Sequence, residues 1–335
     1  MSTRTDRNSL KKGLRRVWFY VSNFATYYMP RPVLRFFFRI RTASLNQRQK
    51  EMARKRAEYY CRLDQSMRVD LDGSVAVRDF KYPFKAKKKF ATYFFDLYRS
   101  IALFGPDRRF RYRFGDIESA VDPTEIVKAR WIAPSGQLPA GVIMKLNRVR
   151  HFAFVNDPYT FAQKDDVVFF RNVAQKQQPA RMMLLHKYFG NPMCDLGRIN
   201  DDDDGFGMYR RDFVPIGSQL KHKFIICAEG NDVATNLKWV MSSNSIAVMP
   251  EPTMESWFME GKLIPDYHYI CVKPDFSDLI EKTSYYAAHP EEAERIVRQA
   301  HEWVSQFRNG ALEDYTAWLV LDRYFSNVTF SNDGI

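Results

Sequence analysis

The chain has 335 residues, 45% hydrophobic and 15% aromatic, enough apolar side chain for two cores of ordinary size and too much for a disordered polymer. Its net charge of +12 is concentrated: residues 1–62 carry 16 Lys and Arg against 3 Asp and Glu, whereas the remainder carries 35 against 36. No recognised nucleic-acid motif accompanies the basic segment, which argues against DNA or RNA as its partner.

Residues 10–28 and 33–40 interleave Arg and Lys with Trp18, Phe19, Tyr20, Phe24, Phe36, Phe37 and Phe38. Two readings fit. One is an amphipathic helix lying in a membrane interface against anionic headgroups; the other is an arm packed on its own domain with a solvated basic face. The longest uncharged run, Val17 to Pro30, is too short to span a bilayer. With no small-x-small cleavage site and no retention signal at the C-terminus, the expected location is cytoplasmic, peripheral on the inner face of the cytoplasmic membrane. Cys61, Cys194, Cys227 and Cys271 lack close pairing and metal-finger spacing, and read as reduced, mostly buried thiols.

Residues 47–63 form a polar helix pattern. From Val69 the periodicity is mixed: a helix over 90–104, a strand over 109–114, and further short strands over 141–146 and 151–155. A break falls at Asn156-Asp157-Pro158. A buried strand over 166–170 then opens an alternation of helix (179–189), strand (224–228), helix (233–241), strand (246–249), strand (269–272) and a long helix (290–308). Such alternation predicts an α/β fold with a parallel, doubly wound sheet.

Within that frame, Glu229-Gly230-Asn231-Asp232 joins a strand to a helix expected to start at about Val233. Backbone N–H groups at such a start would seat a diphosphate, and Gly230 would let the chain turn and a phosphate approach closely. Asp116, just past Gly115 at the end of a strand, is either a general base or a cap for the segment that follows. Asp201 to Asp204 are either a metal-holding acidic motif or a solvated surface turn. Lys145, Arg148, Arg150 and His151 could meet phosphates on an acceptor or form an ordinary charged loop. His186, His222, His289 and His301 show no ligand spacing. No Gly-x-Ser-x-Gly or Walker sequence occurs, so hydrolase and kinase chemistry have no support.

The order and spacing of several motifs resemble the signature of glycosyltransferase family 90, which includes bacterial lipopolysaccharide glycosyltransferases, fungal capsule-associated proteins and animal protein O-glucosyltransferases. The matching residues are Phe170-Arg171, Gly230 through Lys238, Ser243-Asn244-Ser245, Glu255 with Trp257-Phe258, and His268-Tyr269 with Ser277-Asp278-Leu279. The resemblance runs over about 109–308 and is most specific over 229–279. The basic, aromatic N-terminus and Asn147 to Phe152 look most similar to the bacterial members. Three residues depart from the pattern: Asn172 where Gly is usual, Ala234 where Ser is common, and Asn236 where animal members have Arg.

The resemblance implies a GT-B-like fold, two Rossmann-like domains facing across a cleft, preceded by the basic helical segment. The expected division is a basic amphipathic segment over 1–63, an acceptor-side α/β domain over 64–160, a nucleotide-sugar-binding Rossmann-like domain over 161–310, and a last helix packing back with a tail over 311–335. It further implies an inverting, metal-independent hexosyltransferase that moves a hexose, most plausibly glucose, from a UDP-sugar to a saccharide hydroxyl of lipopolysaccharide core. Asp116 would be the base. Arg171 would offset the leaving diphosphate, its alternative being a structural salt bridge at a strand end. Glu229, Gly230, Asn231, Asp232, Val233, Ala234, Asn236, Ser245 and Glu255 would line the donor site, with Glu255 holding sugar hydroxyls. No cofactor beyond the UDP-sugar co-substrate is expected. The partners would be the nucleotide sugar, a lipid-linked saccharide and an anionic membrane surface met through residues 1–62. A protein O-glycosyltransferase, or a non-catalytic membrane-associated scaffold on a degenerate transferase fold, are the competing classes.

Overall fold

Continuous apolar runs such as Val167-Val168-Phe169-Phe170, Phe224-Ile225-Ile226 and Ile246-Ala247-Val248-Met249 suit strands buried on both faces. Each forms a parallel strand in the computed structural model, which describes residues 17–63, 66–84 and 90–331. The chain divides into two units. One comprises the described residues of Met1–Gly115, Ala120–Arg150 and Asn309–Ile335; the other comprises Asp116–Ser119 and His151–Arg308. The N-terminal helices and the final helix therefore belong to the first unit.

The second unit is built on a five-stranded parallel sheet, ordered Ile270–Cys271, Ile246–Met249, His222–Ile226, Asp165–Asn172, Cys194–Arg198. Numbered along the chain within the sheet and read from the Cys194–Arg198 edge, the order is 2-1-3-4-5, a doubly wound arrangement whose direction reverses between Asp165–Asn172 and His222–Ile226. The helices Pro179–Tyr188 and Pro290–Ser305 cover the sheet, with Leu184, Leu185, Ile296 and Val297 packed among Val168, Phe170, Phe224 and Val248.

The first unit holds a four-stranded sheet, ordered Val75–Ala76, Arg109–Tyr112, Glu125–Val127, Val142–Ile143, antiparallel in its first pair and parallel after it. Residues Met67–Asp70 pair in parallel with Val328–Ser331. Helices cover residues 17–28, Arg31–Ala43, Gln47–Tyr60, Ala91–Ile101 and Gly310–Asn327. Asn46 and Gln49 close a reciprocal cap on the third of these, and Asn309 accepts from the N–H groups of Ala311 and Leu312 to start the last. Inside this unit Glu313 is buried between Arg56 and Lys145, each 2.6 Å away.

Two expected elements differ. The helix expected from Val233 is a four-residue turn, Leu237–Val240, preceded by an irregular loop. Tertiary bonds hold that loop open: Asn236 Nδ2 donates to the Ile226 carbonyl at 2.9 Å, and Lys238, fully buried, pairs with Glu260. The strand expected over 151–155 is absent, because Arg148–His151 forms a helical turn and irregular chain follows it. Here the carboxylate of Asp96 accepts from the Arg148 backbone N–H at 2.8 Å and pairs with its side chain at 2.7 Å, pinning the turn's start.

Candidate active site

In a doubly wound sheet, the chain leaves neighbouring strands in opposite directions at the point of reversal, which opens a crevice past their carboxyl ends. In this chain that point is flanked by Val173-Ala174, after one strand, and by Cys227 to Asn231, after the other. Arg181 joins the two loops. Its Nη1 donates to the Val173 carbonyl at 2.6 Å, its Nη2 to the Ala228 carbonyl at 3.1 Å, and its Nε to the Glu229 carbonyl at 3.1 Å. The planar, permanently charged fork of arginine suits such a bridge, and at 8% exposure it is held in place at the reversal.

Gly230 packs directly against that fork. A Cβ built on Gly230 would lie 2.8 Å from Arg181 Nη2 and 2.9 Å from its Cζ, closer than carbon tolerates. The glycine is therefore required by close approach of the guanidinium, and the turn itself makes no demand for positive φ. Asn231 extends the network: it accepts from Gln178 Nε2 at 2.7 Å and donates to Glu118 Oε1 at 2.6 Å. Glu118 belongs to the 116–119 segment, which packs with the second unit and is anchored by the fully buried Ile117. Exposed Asp116 lies two residues away, preceded by Gly115, whose φ of +109° favours glycine.

Of the other expected donor residues, Glu229 accepts from Thr253 Oγ1 at 2.6 Å and from the N–H groups of Thr253 and Met254, each at 3.1 Å. Burial pushes its carboxyl above the usual carboxylate range against those bonds. It thus ties the Gly230 turn to the segment that leads into Glu255, itself 3% exposed in the strand Met254–Ser256. Asp232, Val233 and Ala234 are buried in the same loop, and Asp232 accepts from the Gly230 N–H at 3.0 Å.

Two residues do not join this group. Arg171 pairs with Asp195 at 2.6 Å and lies over the Phe169 ring, its side chain 5% exposed, so the structural salt bridge weighed for it is present. Ser245 sits at the amino-terminal ends of the strands, opposite the carboxyl ends where the Gly230 turn lies. It precedes its strand, and its Oγ donates to the carbonyl of His222, the first residue of the neighbouring parallel strand, at 2.7 Å. The Ser243-Asn244-Ser245 turn is a brace: Asn244 donates to the Tyr159 carbonyl and to Asp157, and the Ser243 carbonyl lies 2.8 Å from His301 Nε2.

Lys145 and Arg148, expected to face acceptor phosphates, are engaged by Glu313 and Asp96, carboxylates whose burial demands a cation. His151 is 2% exposed and Arg150 is exposed. The acidic run is tied to its own surroundings, with Asp204 bonded to Arg198 at 2.6 Å and Asp201 to Arg210. Among the described residues, no group of three or more His, Cys, Asp or Glu is placed to hold a metal ion. The four cysteines are free, and burial raises the Cys61 and Cys194 thiols to about 11 and about 12, which leaves them protonated and poorly nucleophilic at neutral pH.

Sequence reasoning missed Arg181 and Glu260. Arg181 reads as an ordinary cation early in a helix. Glu260, two residues past the Trp-Phe pair, is the buried partner of the motif lysine Lys238 and also accepts from the Ser256 N–H at 2.7 Å. A lysine inside an otherwise apolar stretch was the available signal, since a buried ammonium needs a carboxylate.

A parallel α/β unit with this strand order is a doubly wound fold, the class whose ligands lie past the carboxyl ends of the strands at the reversal. The model of the family described as glycosyl transferase family 90 matches residues 148–331. The chain is 37% identical over 240 residues to the O-glucosyltransferase LpsA of Dichelobacter nodosus, covering 72% of this chain and 74% of that protein. It is 25% identical over 150 residues to the Protein O-glucosyltransferase 3 of Rattus norvegicus, covering 42% of this chain and 28% of that protein. The chain belongs to glycosyl transferase family 90 and is a glycosyltransferase.

Proposed function

We propose that the protein transfers glucose from UDP-glucose, with inversion, to a saccharide hydroxyl of lipopolysaccharide core on a GT-B-type scaffold, without a metal ion. The observation that carries this reading is the Arg181–Gly230 packing at the strand reversal, where a doubly wound sheet receives a nucleotide. In this reading the diphosphate lies along the loop of Gly230, Asn231, Asp232, Val233 and Ala234, opposite the fixed charge of Arg181. A positive charge held beside the leaving diphosphate before the reaction stabilises the charge that develops there without reorganisation. Glu229 holds the 253–254 segment so that Glu255 meets the donor sugar. Asn236, bonded to the Ile226 carbonyl, sets the loop's far end. Asp116 accepts the proton of the attacking hydroxyl. Support for glucose comes from the names of the two relatives, both O-glucosyltransferases.

A screen of nucleotide sugars for slow hydrolysis and for thermal stabilisation tests the donor. UDP-glucose should lead both measures. A chain that ignores every UDP-sugar, or that prefers another sugar nucleotide, refutes the donor assignment.

A further inference from the structure

We propose that the outward faces of the helix over 17–28 and the Arg31–Ala43 helix form a docking surface for a membrane leaflet rich in anionic lipid. Both helices are apolar on two sides. Their inner sides pack on the first unit: Phe24 meets Phe95 with ring centroids 4.8 Å apart, and Phe38 meets Trp318 at 6.1 Å. Their outer sides are apolar as well. On the second helix Val33, Phe36, Phe37 and Ile40 recur at helical spacing along one exposed stripe, and on the first Trp18, Val21 and Tyr28 are exposed at 71%, 55% and 68%.

The arginines point to the occupant. Arg31 donates to the Val77 carbonyl, Arg35 to the carbonyls of Leu103 and Phe104, and Arg41 pairs with Asp314. These bonds fix the helices so that the aromatic stripe, rather than a solvated basic face, is turned outward. No Asp or Glu occurs between Asp6 and Glu51, so neither helix carries an acid of its own, and exposed Arg39 stands beside Phe36 and Ile40. Exposed Trp and Phe on helices that carry arginines and no acid match the chemistry of an anionic interface, where rings enter the acyl boundary and arginines meet headgroups. A second copy of the chain would instead bring like charges together. No helix among the described residues is long and apolar enough to cross a membrane, so the surface would lie on the leaflet.

The test is flotation of the full-length protein with vesicles of phosphatidylcholine alone and with vesicles containing about one third phosphatidylglycerol. Binding should require the anionic lipid. The variant carrying Trp18→Ser, Phe36→Ser and Ile40→Ser, three exposed positions, should bind at least about 10-fold more weakly with an unchanged circular dichroism spectrum. Arg39→Glu, which alters no apolar side chain, should weaken binding to the anionic vesicles as well. The proposal is overturned if the wild type ignores anionic vesicles, if both variants float as well as the wild type, or if lipid-free wild type is a dimer that the triple variant cannot form. UDP affinity, measured on the same samples, reports separately on the proposed function.

Discussion

Asn231 donates its side-chain N–H to the Glu118 carboxylate at 2.6 Å, linking the segment that carries Asp116 to the turn that carries Gly230. Although 113 positions separate the two residues in sequence, the bond puts the proposed base and the proposed diphosphate seat on one connected loop system. In the proposed displacement the base acts while the leaving group departs, so the two loops have to keep their positions together.

Replacing Asp116 with Asn keeps the size of the side chain and removes its basicity. Transfer should fall by about 100- to 10,000-fold while UDP affinity stays within about twofold of wild type. Steady-state rates combined with UDP titration check this, and normal turnover in the variant rules out Asp116 as the base.

Arg181→Lys keeps the charge and loses the fork that reaches carbonyls on both loops. The Michaelis constant for the donor should rise by about 10-fold or more, with kcat falling less, because the loop is displaced while the base is untouched. A variant that only melted earlier, with unchanged kinetics at low temperature, would make Arg181 structural alone.

Lys238 and Glu260 form a buried ion pair, their side chains 0% and 2% exposed. Lys238→Met strands a carboxylate in the core and should cost about 3–5 kcal/mol. The double variant Lys238→Met, Glu260→Gln should recover most of that loss. Denaturant unfolding of the two variants provides the comparison.

Asp96 has its pKa raised from 3.8 to about 6 by burial, with the nearby Arg148 charge opposing the shift. The folded state therefore holds this proton more tightly than the unfolded chain. The resulting stabilisation is complete below pH 3.8 and is lost as pH rises through about 6. Relative to Asp96→Asn, the wild type should lose up to about 3 kcal/mol between pH 4 and pH 7. Urea midpoints of both proteins across that range measure the difference.

The second unit was largely legible in the sequence. Strand Ile246–Met249 and helices Pro179–Tyr188 and Pro290–Ser305 match their expected spans within a few residues, because buried parallel strands are plain apolar runs, the first helix sets Met182 to Leu185 between polar ends, and the second carries a clear period. The loop before Leu237 was not legible, since what keeps it from being helix is a bond to Ile226 and an ion pair to Glu260, both distant in sequence. Ser245 was open to better reasoning. A residue that precedes a parallel strand lies at its amino end, so its place away from Gly230 follows from topology alone. In the N-terminal helices the pattern showed apolar and basic residues, but which of the two faces outward depended on carbonyls at Val77 and Leu103.

The most direct measurement is calorimetric titration of UDP into the wild type, Gly230→Ala and Ser245→Ala. The added methyl at Gly230 must displace Arg181, so that variant should bind UDP at least about 10-fold more weakly. Ser245→Ala, altered at the amino-terminal ends of the strands, should bind as the wild type does while losing about 1 kcal/mol of stability. Equal UDP affinity in the wild type and Gly230→Ala, or no UDP binding by the wild type, would contradict a diphosphate seat at this turn.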